Sequence, residues 1–204
     1  IQFAEKYNIP YATSWFAKGL FDEYASLCLG AYNGVFTQTP GRHYIEKKVD
    51  YVIDIATSIF SQDCNTAFAT GTHKIENFAN KTLLKGGALL EKDLIEIFEL
   101  LLSADAPRFD FLMAQKEVAP VQGEELIDFN NLAATLNELQ DEDDKPYVYL
   151  PEVGNSYFAS YSLKVRNSSV GRGWLTNPWY GAMGTSLPYA RVVAQRIQDN
   201  GGKD

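Results

Sequence analysis

The feature that most constrains the fold is a short run of apolar and β-branched residues at positions 51–56. A nearly continuous apolar run of this length is typical of a parallel strand that is covered on both faces. A short helix is predicted before it, over residues 43–48, and a clear amphipathic helix follows Glu91. The apolar stripe of that second helix consists of Leu94, Ile95, Ile97, Phe98, Leu101 and Leu102.

The first half of the chain continues this alternation of helices and strands. Residues 3–7 read as the end of a helix that is broken before Pro10, and residues 11–13 and 27–32 read as short strands on either side of a turn at 16–19. Alternating strands and helices imply a parallel sheet with right-handed crossovers. We therefore predict an α/β fold for residues 1–103, with a Rossmann-like parallel sheet and flanking helices.

The second half is predicted to begin a separate domain. Residues 104–123 contain Pro107, Pro120 and Gly123 and read as an interdomain linker. From Glu124 onward the pattern predicts a helix that ends at an acidic run, a strand over 147–150 and a last helix that starts at 186–188, with Ser186 as its cap. The apolar positions of the first of these helices are Phe129, Leu132, Ala133, Leu136 and Leu139.

Charge and cysteine content limit the classes of partner. The formal net charge is −8 without a basic cluster, so we expect no nucleic-acid partner. No apolar run approaches the roughly 20 residues of a membrane-spanning helix, so we expect no membrane partner. Cys28 and Cys64 lie among apolar residues and are expected to be buried free thiols, which fits a reducing cytoplasm.

Two glycine-containing segments are the candidate ligand sites, because the common catalytic motifs are missing. Gly154-Asn155-Ser156 offers close backbone approach and polar side chains to a phosphate, although the same residues are ordinary turn composition. Residues 181–188 place two glycines and Met183 before a helix N-terminus. This segment is either a loop that presses against a ligand or a connector with Met183 as core filler.

At these residues the chain resembles the pyruvate/indolepyruvate decarboxylase branch of the thiamine-diphosphate-dependent enzymes. The resemblance rests on three stretches, 12–34, 49–68 and 152–158, followed by the Gly/Met loop at about the expected distance. It implies that residues 1–103 are the family's middle Rossmann-like domain without its first strand. It also implies that residues 124–204 are the truncated, incomplete α/β start of the cofactor-binding domain.

The resemblance also implies a role for each candidate residue. Gly154, Asn155 and Ser156 lie at the family's diphosphate-contacting turn. The carbonyl of Gly181 lies where the family accepts a hydrogen bond from the 4′-amino group of the aminopyrimidine, and Met183 lies where an apolar side chain holds the cofactor bent. Glu152 and Asp63 are not expected to be cofactor ligands.

The resemblance further implies a thiamine-diphosphate-dependent lyase with Mg²⁺, a small-molecule 2-oxo acid as substrate, and a homo-dimer or homo-tetramer. The family's catalytic glutamate and metal-binding motif have no counterpart here, so we expect an internal piece of a larger enzyme that is inactive alone. We also expect the region beyond about residue 124 to be poorly packed. Two alternatives stay open: an acetolactate-synthase-like enzyme whose middle domain holds FAD, and a free-standing Rossmann-like module that binds without catalysis.

Overall fold

In a computed structural model of the chain, the structure describes residues 1–37, 41–55, 73–78, 81–83, 89–112, 126–166, 173–177 and 181–201. Within these ranges the protein is a mixed α/β protein. Its helices are α1 (Gln2–Tyr7), α2 (Gly41–Lys47), α3 (Leu94–Ser103), α4 (Phe129–Asp143), α5 (Asn155–Ala159) and α6 (Ser186–Asp199). Its strands are β1 (Tyr11–Ser14), β2 (Cys28–Tyr32), β3 (Tyr51–Ile55), β4 (His73–Phe78), β5 (Lys81–Leu83) and β6 (Leu89–Leu90).

The described strands form two sheets. β1 and β2 pair in parallel, and β3 pairs in parallel with β4, which extends through β5 to β6 by antiparallel pairing. The prediction of a parallel sheet is therefore confirmed for two pairs and wrong for the other two. The reason is the short connection after β4, because Phe78 pairs with Lys81 and two residues can join only antiparallel strands.

The strand at 51–55 lies where the sequence predicted it, but its coverage differs from the prediction. Tyr51 is 63% exposed and Ile55 is 38% exposed, so the ends of β3 are not covered on both faces. Apolar composition alone does not reveal this difference, because a half-covered strand near a sheet edge can be equally rich in β-branched residues.

The helices follow local signals in the sequence. Asp93 and Glu96 form a reciprocal capping box at the start of α3, and the side chain of Asp128 accepts a hydrogen bond from the backbone N–H of Asn131 at the start of α4. The thiol of Cys28 is free and buried, as predicted, whereas Cys64 lies outside the described residues.

The main core joins the two halves of the chain. Trp15 and Ala31 from the first half pack against side chains that come more than 100 positions later. The buried members of this cluster are Trp15, Ala31, Tyr157, Tyr161, Val165 and Trp174, none more than 5% exposed. The expectation of poor packing beyond residue 124 is therefore wrong for residues 157–165 and Trp174, because their aromatic side chains are buried against the first half of the chain.

A buried ion pair lies beside this core. The Lys18 ammonium is 2.6 Å from Glu23 Oε2 and donates to the carbonyl of Leu163 at 2.7 Å. Glu23 also exchanges backbone and side-chain hydrogen bonds with Val165, at 2.9 Å and 3.2 Å. Because both charges are almost fully buried, their partners must be present for the fold to tolerate them.

Amide side chains attach α4 to the same region. Gln140 is fully buried; its Nε2 donates to Tyr24 Oη at 2.7 Å and to the carbonyl of Lys164 at 3.2 Å. The Oε1 atom of Gln140 accepts from the backbone N–H of Tyr147 at 3.0 Å. Asn137 Nδ2 donates to the carbonyl of Ser162, and Asn137 Oδ1 accepts from the backbone N–H of Lys164. The predicted apolar stripe of α4 is thus supplemented by hydrogen bonds that periodicity does not predict.

The described part of the predicted linker, residues 104–112, has no helix or strand, but it contacts the first half of the chain. The backbone N–H of Phe109 donates to the carbonyl of Tyr7 at 2.8 Å, and Asn8 Nδ2 donates to the carbonyl of Phe109 at 2.8 Å. Phe111 packs on Tyr44 with ring centroids 5.1 Å apart. The division of the chain at 104–123 stays a prediction, and contacts cross it at several places.

Two further elements differ from expectation. Residues 147–150 form no full strand; among the described residues, Tyr149 makes a single parallel bridge to Trp174. Helix α6 begins as predicted but buries none of its side chains. In the part of the chain that the structure describes, no helix is long and apolar enough to span a membrane.

Candidate functional site

The first candidate segment is a glycine turn at the start of a short helix. Gly154 has a φ of 132°, a conformation that strongly favours glycine, and it immediately precedes α5. Asn155 and Ser156 occupy the first positions of that helix with exposed side chains. Among the described residues, no atom lies within 4 Å of a Cβ atom placed on Gly154.

The second candidate segment has the same character. Gly181 and Gly184 have φ values of 58° and 89°, and no atom in the described part of the chain lies within 4 Å of a Cβ atom placed on either. Met183 is 81% exposed. The interpretation of Met183 as core filler is therefore wrong, and its side chain stands unpacked beside two open glycines.

Glu152 joins the two segments. Its Oε2 atom accepts hydrogen bonds from Ser186 Oγ at 2.7 Å and from the backbone N–H of Ser186 at 3.3 Å, across 34 residues of sequence. Its Oε1 atom accepts from the backbone N–H of Val153 at 3.0 Å. Its main-chain carbonyl accepts from Ser156 Oγ at 2.8 Å. One residue therefore contacts both candidate segments.

This contact corrects the predicted cap of α6. Thr185, not Ser186, precedes the helix, and its side chain makes no capping bond. The Ser186 hydroxyl instead donates a hydrogen bond to Glu152. The carboxylate therefore occupies the position at the helix N-terminus that an anionic ligand would otherwise use.

Hydrogen bonding keeps Glu152 ionised. The Ser186 hydroxyl is the largest cause, followed by the backbone N–H of Val153 and smaller backbone contributions from Ser186 and Gly184, and together they lower the pKa of Glu152 to about 2. The carboxylate is therefore negatively charged at neutral pH. Sequence reasoning missed this role because no local pattern links a glutamate to a serine 34 positions away.

We expect the stability contribution of Glu152 to disappear in acid. Its pKa is about 2 in the folded protein against an ordinary value of 4.5, so the carboxylate stabilises the fold above about pH 4.5, and the contribution is lost as the pH falls towards 2. Thermal melts of wild type and Glu152→Gln should differ at neutral pH and converge through this window. A Tm difference that stays constant down to about pH 2 would contradict the assignment.

An apolar pocket lies next to the first segment. It has a volume of about 260 Å³ between α4, the 149–151 segment and α5, and Ser156 lies on its wall. Phe129 and Leu132 on that wall are 49% and 44% exposed. The remaining lining residues are Ala133, Leu136, Tyr149, Leu150, Pro151, Ala159, Ser160 and Leu163. A ligand bound at the turn at 154–156 could therefore contact the apolar pocket as well as polar groups.

The candidate residues suit a ligand with an anionic end and a flat apolar end. Asn155 and Ser156 offer polar side chains, although the Ser156 hydroxyl must turn away from Glu152 to donate to a ligand. Gly181 offers a backbone in the left-handed conformation, and Met183 offers an exposed apolar side chain.

Other predicted residues carry less information. His43 is exposed on α2, and Asp63, with the rest of the 56–72 stretch, lies outside the described residues. Among the described residues, no group of three or more His, Cys, Asp or Glu side chains could hold a metal ion. The Mg²⁺ that the resemblance implies stays a prediction.

Comparison with known proteins adds no relative. No protein-family model matches the chain, and no curated protein matches it in sequence. The resemblance to the thiamine-diphosphate-dependent decarboxylases therefore rests on the pattern of residues alone.

Proposed function

We propose that this chain is part of a thiamine-diphosphate-dependent enzyme that decarboxylates a 2-oxo acid to an aldehyde and CO₂. The observation that carries the proposal is the Glu152 bridge, which ties Ser156 to Ser186. The resemblance assigns the residues around these two serines to the same cofactor, and a shared ligand requires them to be neighbours.

In the proposed site, the chain binds and orients the cofactor. Asn155 and Ser156 hydrogen-bond the diphosphate, and the space before Gly154 admits it. The Gly181 carbonyl accepts a hydrogen bond from the aminopyrimidine amino group, and Met183 supports the bend between the rings. Thiamine diphosphate, when bound, supplies the electron sink that decarboxylation of a 2-oxo acid requires.

The wider setting belongs to the same proposal. We propose a Rossmann-like arrangement for residues 1–103, which the parallel pairs β1–β2 and β3–β4 support. Residues 124–204 would be the beginning of an α/β cofactor domain. A homo-dimer or homo-tetramer, Mg²⁺ ligands outside this chain and a cytoplasmic location complete the proposal.

The test uses the full-length protein that we expect to contain this chain. Thiamine diphosphate binding with Mg²⁺ would be measured by quenching of tryptophan fluorescence, and aldehyde release would be assayed from pyruvate, phenylpyruvate and indolepyruvate. Binding and turnover together are expected. Failure to bind the cofactor would overturn the proposal. A flavin absorbance in the purified protein would favour the acetolactate-synthase-like alternative.

Met183→Ala should lower kcat sharply in that protein. Removing the side chain that supports the bent cofactor displaces the reacting groups, and a displacement of about 1 Å costs on the order of 100-fold in rate. Leu187→Ala is the matched control, because Leu187 is also a large apolar residue and is 77% exposed. Equal kcat values for the two variants would remove Met183 from the site.

A further inference from the structure

We propose that Glu152 is a positioning residue that sets the separation between the two ends of the cofactor site. This inference rests on the proposed function. Glu152 is not expected to be a cofactor ligand, and its carboxylate accepts hydrogen bonds from Val153 and Ser186 within the protein. Glu152 would therefore act on the cofactor indirectly, through Ser156 and Ser186.

The contacts of Glu152 divide between the two ends. Its main-chain carbonyl receives the Ser156 hydroxyl, beside Asn155 at the diphosphate end. Its carboxylate receives the N–H and hydroxyl of Ser186, which follows directly on the loop that contains Gly181 and Met183. A shift of the Glu152 side chain would therefore change the distance between the residues proposed to hold the two ends of one ligand.

Packing contributes little to holding the second segment. Met183 and Leu187 are 81% and 77% exposed, and α6 has no buried side chain. The bond between Ser186 Oγ and Glu152 is short, at 2.7 Å, and its acceptor is ionised, which makes it stronger than a bond between neutral groups. The carboxylate is thus the contact of the described chain that most directly fixes the loop at 181–186.

The ionised side chain matters for a second reason. Glu152 already supplies a negative charge at the start of α6, where the helix dipole favours one. The cofactor diphosphate is then directed to the other segment, at Asn155 and Ser156, rather than to the α6 N-terminus. Loss of the charge would both loosen the loop and open a competing anion position.

The experiment compares wild type, Glu152→Gln, Ser186→Ala and the double variant in the full-length protein. The probe is thiamine diphosphate with Mg²⁺, titrated without substrate. The free energy of a hydrogen bond to a charged group corresponds to a change in Kd of about 10-fold or more. Each single variant should therefore raise the Kd by about that factor. The double variant should be little worse than the weaker-binding single variant, because both substitutions weaken the same interaction.

Two controls separate positioning from general destabilisation. Glu142→Gln makes the same chemical change on the exposed end of α4 and should leave the Kd unchanged. Val165→Ala removes volume from the fully buried core, so it should lower the Tm while leaving the Kd unchanged. Hydrogen exchange of the 181–186 amides should accelerate in Glu152→Gln and not in Val165→Ala.

The outcomes distinguish the inference from the function on which it rests. If wild type binds no thiamine diphosphate, the proposed function fails. If wild type binds thiamine diphosphate and both single variants, Glu152→Gln and Ser186→Ala, bind it as tightly as wild type does, only the inference is overturned. If Glu152→Gln does not fold, Ser186→Ala decides alone, since it removes a single hydroxyl that is not itself buried in the core.

Discussion

Replacing Lys18 with methionine should lower the free energy of unfolding by about 3–5 kcal/mol, as expected when one partner of a buried ion pair is removed. The Lys18 side chain is completely buried, and it holds both the Glu23 carboxylate and the carbonyl of Leu163. The variant would leave the Glu23 charge buried without its cation. Because single domains are stable by only about 5–15 kcal/mol, this loss would consume a large fraction of the total.

The measurement is urea-induced unfolding, with the midpoint and the slope compared between variants. The matched control is Lys92→Met, which breaks an ion pair of similar length between side chains that are 42% and 49% exposed. Exposed pairs of this kind contribute little to stability, so the control should shift the midpoint only slightly. Equal shifts for the two variants would show that burial does not strengthen the Lys18 contact.

A double variant tests the mechanism of the loss. Lys18→Met combined with Glu23→Gln removes the stranded charge, so it should be more stable than Lys18→Met alone. If the double variant is as unstable as the sum of its parts, the loss arises from packing around the Lys18 stem and not from the charge.

Local signals account for the parts of this fold that the sequence predicted. The helices α3 and α4 and the strand β3 were predicted because apolar periodicity and β-branched runs act over a few residues. The antiparallel extension through β4 and β5 was missed, because a two-residue connection without a characteristic turn pair gives little warning. The predicted strand at 147–150 is only one bridge, since strand formation depends on a neighbour that composition does not supply.

The contacts that hold the candidate site together could not be predicted in the same way. Gly154, Gly181 and Met183 were identified from the resemblance, and the structure places them with open space or exposed side chains. The Glu152–Ser186 bond and the Lys18–Leu163 bond join residues 34 and 145 positions apart. No periodicity connects such residues, so only the folded chain reveals that they meet.

Trp174→Ala should be the other large loss, again about 3–5 kcal/mol, the usual cost of truncating a buried tryptophan. The Trp174 ring lies 5.6 Å from that of Tyr157 and 6.0 Å from that of Tyr161, and its Nε1 donates to Ser160 Oγ at 2.9 Å. Trp174→Phe keeps a ring and loses the hydrogen bond, so it should fall between wild type and alanine. Met183→Ala, at a side chain that is 81% exposed, should change stability by less than about 0.5 kcal/mol.

The shape of the Trp174→Ala unfolding curve carries further information. Trp174 shares its core with Trp15 and Ala31 of the first half of the chain, so disrupting it should destabilise both halves together. We therefore expect one transition at a lower denaturant concentration, seen alike by far-UV circular dichroism and by tryptophan fluorescence. Two separate transitions, with only one shifted by the variant, would mean that the halves on either side of residues 104–123 unfold independently. The shared aromatic core would then be a contact between two stable units and not the centre of one cooperative structure.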